Sequence, residues 1–209
     1  MDPWPFTDLV LTTPRLELRP DDDAGLRELA DVAAQGVHDP AVMPFGFAWT
    51  DLPEAELGIG MLQFHWGRRA ALRAADWTLN FVVRMDARVV GMQSVSARDF
   101  AQLREVDTGS WLGLRYQGVG IGTEMRAAVL LFAFDHLGAH TARSSAFTDN
   151  PASIAVSRKL GYRENGTYTL VRRGQSATNT RFALTNETFV RPDWVLRVEG
   201  ATPCVPLLM

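Results

Sequence analysis

Three glycines in six residues, Gln117-Gly118-Val119-Gly120-Ile121-Gly122, carry the most specific chemistry in this chain. Glycine at 118, 120 and 122 removes the Cβ atoms that would hold a ligand off the backbone. The preceding Trp111-Leu112-Gly113-Leu114 reads as the end of a strand, and the residues after the glycines as a helix running to about His136. A helix start gathers unpaired N–H groups and the positive dipole end at one spot. That is an anion site, and its natural guest is a phosphate or pyrophosphate. The bland reading is a plain strand-to-helix turn. The order of strand, Gln-x-x-Gly-x-Gly, helix and then an Asn150-Pro151 helix start favours the anion site. A dinucleotide-binding fold fits poorly. It needs its glycines at the first strand of a βαβ unit and an acid about twenty residues later. Here the glycines fall past mid-chain, and Asp135 lies inside the helix.

The elements that must position this turn follow from periodicity. Leu16 and Leu18 alternate with charged residues, a short strand stopped by Pro20, and Asp21, Asp22 and Asp23 then cap a helix over about 23–35. Gly36 to Pro53 is loop-rich yet carries Met43, Phe45, Phe47 and Trp49, either local core or one wall of a substrate pocket. Residues 54–75 read as a helix with Leu57, Met61, Phe64 and Leu72 on its apolar side. His65 in that helix reads as packed or solvated rather than catalytic. Leu79, Phe81, Val83 and Met85 predict a half-buried strand, turned at Asp86-Ala87 into a second over 88–96, and a third runs from about Glu105 to Leu114. The helix after the glycines is apolar nearly all round and ends at Gly138. A strand over 141–147 follows, parallel to the one before the glycines. The Asn150-Pro151 helix stops at Gly161. Tyr162 begins a strand partnered by 179–185 across a basic loop at Arg172-Arg173, and Trp194, Leu196 and Val198 suggest a last strand.

With 209 residues, 46% of them hydrophobic, the chain predicts one domain, a core over about 9–190 and a C-terminal strand and tail over 191–209. A net charge of −3 argues against broad capture of nucleic acid. One cysteine, Cys204, excludes an internal disulfide and a cysteine-based zinc cluster and fits a reducing cytoplasm; no metal is expected. No apolar run approaches the roughly twenty residues that span a bilayer. Met1-Asp2-Pro3-Trp4-Pro5 does not read as a secretory signal. The expected compartment is cytoplasmic.

Three motifs in this order resemble the GCN5-related N-acetyltransferases, the GNAT superfamily, and within it the ribosomal-protein alanine acetyltransferase branch. They are Leu11-Thr12-Thr13-Pro14-Arg15-Leu16-Glu17-Leu18-Arg19-Pro20, Gln117 to Gly122, and Asn150-Pro151-Ala152-Ser153 running on to Lys159-Leu160-Gly161-Tyr162. A subgroup of succinyl-CoA transferases is similar too, through Thr108-Gly109-Ser110-Trp111-Leu112-Gly113 and the Tyr-x-x-Asn-Gly at Tyr162. The resemblance implies an α/β fold, a single GNAT-like domain whose mixed, mostly antiparallel central sheet is flanked by helices. It implies acyl transfer from CoA to a primary amine of a small molecule or a peptide N-terminus by direct attack, with acetyl-CoA the default donor and succinyl-CoA the alternative. A non-catalytic acyl-CoA sensor is the reading from another class. A homodimer through the C-terminal strands is a further expectation.

By the same resemblance the turn from Gln117 through Gly118, Val119, Gly120, Ile121, Gly122 and Thr123 holds the CoA pyrophosphate. Backbone of Trp111, Leu112 and Leu114 pairs with the pantetheine arm where two strands splay apart, and Asn150, Ser153 and Arg158 complete the CoA contacts. The family carboxylate four residues before the strand tryptophan corresponds to Asp107, and Glu105 shares its strand face. Either acts as base, or both are ordinary solvated acids. The family's second acid falls near Arg172, where this chain has none. Ser153 matches the branch's proton donor and Ser157 the position of another branch's tyrosine, although Ser153 also suits a helix-start cap. Arg172 or Arg173 is available for a succinyl carboxylate. Phe45, Trp49 and Trp66, with Phe47, are the candidate acceptor contacts; Tyr162, Tyr168 and Cys204 read as structural.

Overall fold

Alternating apolar residues and four positive-φ hairpin residues, Asp86, Ala87, Arg173 and Gly174, account for the sheet that dominates the computed structural model. The structure describes residues 3–209, so Met1 and Asp2 of the N-terminal segment read above lie outside the described residues. In chain order the strands are β1 (Val10–Thr12), β2 (Leu16–Pro20), β3 (Asp76–Met85), β4 (Arg88–Arg98), β5 (Glu105–Leu112), β6 (Thr141–Phe147), β7 (Arg163–Arg172), β8 (Gln175–Thr185) and β9 (Arg197–Glu199). The helices are α1 (Asp23–Ala34), α2 (Glu54–Ala71), α3 (Phe100–Leu103), α4 (Ile121–Leu131) and α5 (Pro151–Lys159). A π-helical turn over Phe132–His136 continues α4 to the end the sequence suggests.

The nine strands form one sheet in the order β7-β8-β6-β5-β4-β3-β2-β1-β9, and among the described residues β5 and β6 are its one parallel pair. That pair is short. Glu105, Val106 and Asp107 lie opposite Thr141, Ala142 and Arg143, and beyond them the two strands run on without pairing. α1 and α2 cover one face, where Leu26, Leu29, Leu57 and Met61 meet Val82, Val89 and Trp111. α4 and the π-helical turn after it lie under the other face, with Met125, Val129, Leu130 and Phe132 packed against Phe81, Val95, Val106 and Leu112. Burying one such side chain stabilises by roughly 1.5–3 kcal/mol, so an all-round apolar helix belongs in this position.

Several boundaries differ from the sequence reading. β5 stops at Leu112, and Leu114 falls in a 3₁₀ turn over Leu114–Tyr116. β8 starts at Gln175 because Arg173 and Gly174 adopt φ of +48° and +75°, the conformation of a two-residue hairpin turn. β1 and α3 have no clear periodicity in the sequence; α3 is fixed by Phe100, which is fully buried edge-on against Trp77. Phe64 is exposed on α2, whereas His65 is buried and bonds Asp21 through Nδ1 at 2.7 Å, the packed reading. No helix is long and apolar enough to cross a membrane among the described residues.

Candidate active site

The parting of β5 and β6 opens a gap in the sheet, and the glycine turn stands at its end. Gly118 and Gly120 have φ of +77° and +86°, which residues with a Cβ rarely adopt. Gly120 precedes α4 and its carbonyl accepts from the amides of Thr123 and Glu124 at 3.2 and 3.1 Å. Among the described residues no backbone carbonyl receives the amides of Gly118, Val119, Gly120, Ile121 or Gly122. The turn therefore presents bare donors at a helix start, and the space a Cβ would take at Gly118 is open. The residues fit a bound diphosphate. The side chain of Ile121 is fully buried, so only its main chain faces that site. Gln117 donates from its amide to the carbonyls of Val37 and Leu112, at 2.7 and 2.9 Å, and so ties the turn to β5 and to the end of α1.

The open edge of β5 is legible in its hydrogen bonds. Gly113 N donates to Val90 O, and antiparallel pairing alternates along the register, so Trp111 also turns its backbone to β4. Ser110 and Leu112 direct theirs into the gap, as Thr108 does where its carbonyl meets Ser144 Oγ. The amide of Leu114 is donated to Gly36 O at 2.9 Å. Neither Trp111 nor Leu114 therefore offers a free strand amide, and Ser110 and Leu112 take that place.

Side chains of β5 alternate across the sheet. Glu105 and Asp107 share the face of Trp111, towards α1 and α2. Glu105 forms an ion pair with Arg143 of β6. Asp107 is exposed, and no hydrogen bond reaches its carboxylate among the described residues; desolvation by the surrounding protein first, and then the Glu105 charge, raise its pKa above the ordinary aspartate value, against a smaller pull from Arg143. On the opposite face lies Arg126 of α4, 4% exposed. Its Nη1 donates to Ser157 Oγ at 3.0 Å and its Nη2 to Ser110 Oγ at 3.2 Å, while its Nε has no partner. Among the described residues no carboxylate pairs with it, and burial pulls its pKa down. Gln93, cross-strand from Ser110, likewise has an unpartnered buried Oε1. Sequence reasoning missed Arg126, although a cation inside a helix apolar nearly all round is a signal that polar partners surround it.

The helix-start residues behave as caps and more. Asn150 Oδ1 accepts from Ser153 N at 3.1 Å. Ser157 is fully buried, accepts from Arg126 and donates to Ser153 O at 3.1 Å, so its proton is committed and its oxygen lies out of reach. Ser157 is thus committed within the protein, whereas Ser153 is partly exposed. Arg158 pairs with Glu164 at 2.9 Å on the surface. Tyr162 is buried with its hydroxyl 3.2 Å from Thr108 Oγ1, and burial raises its pKa. Cys204 is buried with its thiol pushed up to about 11, an inert environment.

Aromatic residues line the α1 side of the gap. His38, Phe45, Trp49 and Trp111 form a row with centroid spacings of 5.7, 5.2 and 5.4 Å. Trp66 is not in that row; it donates to Asp23 at the start of α1, so it belongs to the helix pair instead. Phe47 stands exposed. The connection carrying this row is strapped to the β7–β8 hairpin. Arg172 bonds Asp149 through both terminal nitrogens, caps the Phe147 ring at 4.2 Å and reaches Met43 O. Arg173 bonds Asp51 and Pro40 O. Both guanidinium groups are therefore engaged, which corrects their assignment as anchors for a succinyl carboxylate. No group of three or more His, Cys, Asp or Glu side chains could hold a metal among the described residues.

The family model described as an acetyltransferase (GNAT) domain matches residues 15–163. Among solved structures, the chain is similar to Mycobacterium smegmatis RimJ in complex with CoA-disulfide, with 24% identity, TM-score 0.72, and 88% of this chain and 90% of that one covered. A ribosomal-protein-serine acetyltransferase from Vibrio cholerae gives 22% identity and TM-score 0.64 over 84% and 97% of the two chains. RimL, a ribosomal L7/L12 alpha-N-protein acetyltransferase solved with coenzyme A, gives 16% and 0.67 over 83% and 95%.

Proposed function

The chain belongs to the GNAT acetyltransferase family, and from that premise we propose that it transfers an acetyl group from acetyl-CoA directly to a primary amine. The single observation that carries this reading is the bare amide turn at the end of the β5–β6 gap. In it, Gly118 to Gly122 and the α4 dipole hold the diphosphate. The open amides of Ser110 and Leu112 pair with the pantetheine arm like an added strand, which sets the thioester in the gap. Asn150 and Ser153 meet the arm from α5, and Ser153 or water returns a proton to the thiolate.

Asp107 is the base in this scheme. It stands on the α1 face unpaired, with a raised pKa, while Arg143 neutralises Glu105. Transfer asks for one proton to leave the amine and for the two reactants to be held together, and positioning supplies much of the rate. The aromatic row of Phe45, Trp49 and Trp111 gives the acceptor an apolar wall. The acceptor is a peptide N-terminus or a small amine; RimL and the Vibrio cholerae relative, named for ribosomal-protein substrates, support the former.

A second reading, a donor with a distal carboxylate such as succinyl-CoA, is favoured by Arg126. A buried guanidinium with hydroxyl partners alone is costly, and an anionic acyl terminus in the gap would offset that cost. The test is free-thiol release with acetyl-, succinyl- and longer acyl-CoA against a panel of amines and peptides. Release with acetyl-CoA supports the first reading and preference for succinyl-CoA the second. Binding of CoA without release from any donor would overturn both.

A further inference from the structure

Glu124 poses a problem for any anion at the glycine turn. It sits in the first turn of α4, is 8% exposed, and places a carboxylate beside the helix start that must accept a diphosphate. The chain's N-terminal arm covers it. Thr13 Oγ1 and the Arg15 amide donate to its Oε1, at 2.6 and 3.1 Å, and Arg15 Nε and Nη2 both lie 2.6 Å from its Oε2. Three hydrogen bonds and the ion pair hold the carboxylate, and its charge is neutralised where it would repel the ligand.

The fork leaves one guanidinium nitrogen over, and Nη1 donates to Val119 O at 3.2 Å. Val119 lies between the two left-handed glycines, residue types that restrain the backbone little. Because a trans peptide is planar, its C=O and the following N–H point in opposite directions. Holding the Val119 carbonyl against Arg15 therefore aims the Gly120 N–H away from Arg15, to the open side of the turn. Arg15 Nη2 also lies 3.4 Å from where a Gly120 Cβ would stand, so the guanidinium closes the rear of the cradle.

We propose that Arg15 is a positioning residue for donor binding: fixed by Glu124, it sets the Val119–Gly120 peptide and so presents the Gly120 amide to the diphosphate. The proposal rests on the reading that the turn binds CoA. The test compares Arg15→Met and Arg15→Lys with the unaltered chain, using calorimetric Kd for CoA, steady-state constants, and backbone amide shifts without ligand. Removing this preorganisation in Arg15→Met raises Kd for CoA and KM for acetyl-CoA about tenfold or more. kcat at saturation and KM for the amine stay within about twofold, because the interaction is made equally in ground and transition states. A merely structural role would move neither constant selectively. Arg15→Lys, which keeps the charge but loses the fork, shifts the Gly120 amide resonance and gives an intermediate Kd. Arg15→Met binding CoA as tightly as the unaltered chain, or Arg15→Lys leaving the Gly120 resonance in place, overturns the proposal. An unaltered chain that fails to bind CoA instead removes the reading beneath it, while the Gly120 shift still reports on Arg15.

Discussion

Arg143 lies opposite Asp107 in the parallel register of β5 and β6, yet it gives its guanidinium to Glu105, two residues back on the same face. The two acids are thereby made unequal. Glu105 is neutralised, and Asp107 is left with a pKa raised by desolvation and by the Glu105 charge.

Asp107→Asn lowers kcat by about a hundredfold or more and removes the acidic limb of the kcat/KM profile. In the unaltered chain that limb lies above the ordinary aspartate range, because a raised pKa keeps the base protonated to higher pH. Glu105→Gln frees Arg143 to turn to Asp107, which moves the limb to lower pH and costs less rate. The stability sign is opposite to that of a paired acid. A carboxyl raised in the folded state favours folding when protonated and loses that contribution as pH rises through its folded pKa. Asp107→Asn therefore melts at or above the unaltered chain at neutral pH. Full turnover in both variants across the pH range would remove the assignment.

Gly120 and Gly122 separate conformation from clearance. At Gly120, alanine meets a φ of +86°, strain of about 1 kcal/mol or more, so Gly120→Ala both melts lower and binds acetyl-CoA more weakly. At Gly122 the backbone is helical and a Cβ would stand 3.7 Å from Leu112 Cδ1, ordinary contact. Gly122→Ala should then melt slightly higher, by up to about 1 kcal/mol of helix propensity, while KM for acetyl-CoA still rises. Thermal melts with and without CoA check both; weaker folding without weaker binding at Gly120 would contradict the cradle.

Gly118 and Gly120 were readable from sequence because a turn with φ above zero constrains residue type directly. The strand alternation of β3 and β4, the cap at Asp22 and the stop at Gly161 were readable for the same local reason. What escaped was non-local. Nothing near Arg15 shows that it would meet Glu124, which is 109 positions away. Nor does Arg172 announce Asp149, whose pairing depends on how the β7–β8 hairpin folds back. Composition groups Trp66 with Phe45 and Trp49, and helix geometry sends it to Asp23 instead.

The strap from the α1–α2 connection to the β7–β8 hairpin should govern acceptor binding. Arg173→Ala releases both Asp51 and the Pro40 carbonyl. Hydrogen exchange should then quicken over residues 38–52 with little change in the sheet, and KM for the amine should rise while KM for acetyl-CoA holds. Exposed pairs of this kind contribute little to global stability, so the melting temperature should barely move. A rise in KM for the donor alone would place the strap on the wrong substrate.

Arg126 decides between donors. Methionine at this position keeps most of the volume and removes the unneutralised charge, so Arg126→Met should fold at least as stably as the unaltered chain. If the guanidinium receives an acyl carboxylate, kcat/KM for succinyl-CoA falls by about a hundredfold, the cost of leaving a buried charge unpaired. Transfer of acetyl, which has no charge to place there, changes by less than about threefold. The ratio of the two constants is the informative quantity, because a general disturbance of Ser110 and Ser157 would depress both alike. Equal losses would make Arg126 a brace between β5 and α5 and leave acetyl-CoA as the donor; a selective loss would show that the cation buried beneath the gap reads the far end of the acyl chain.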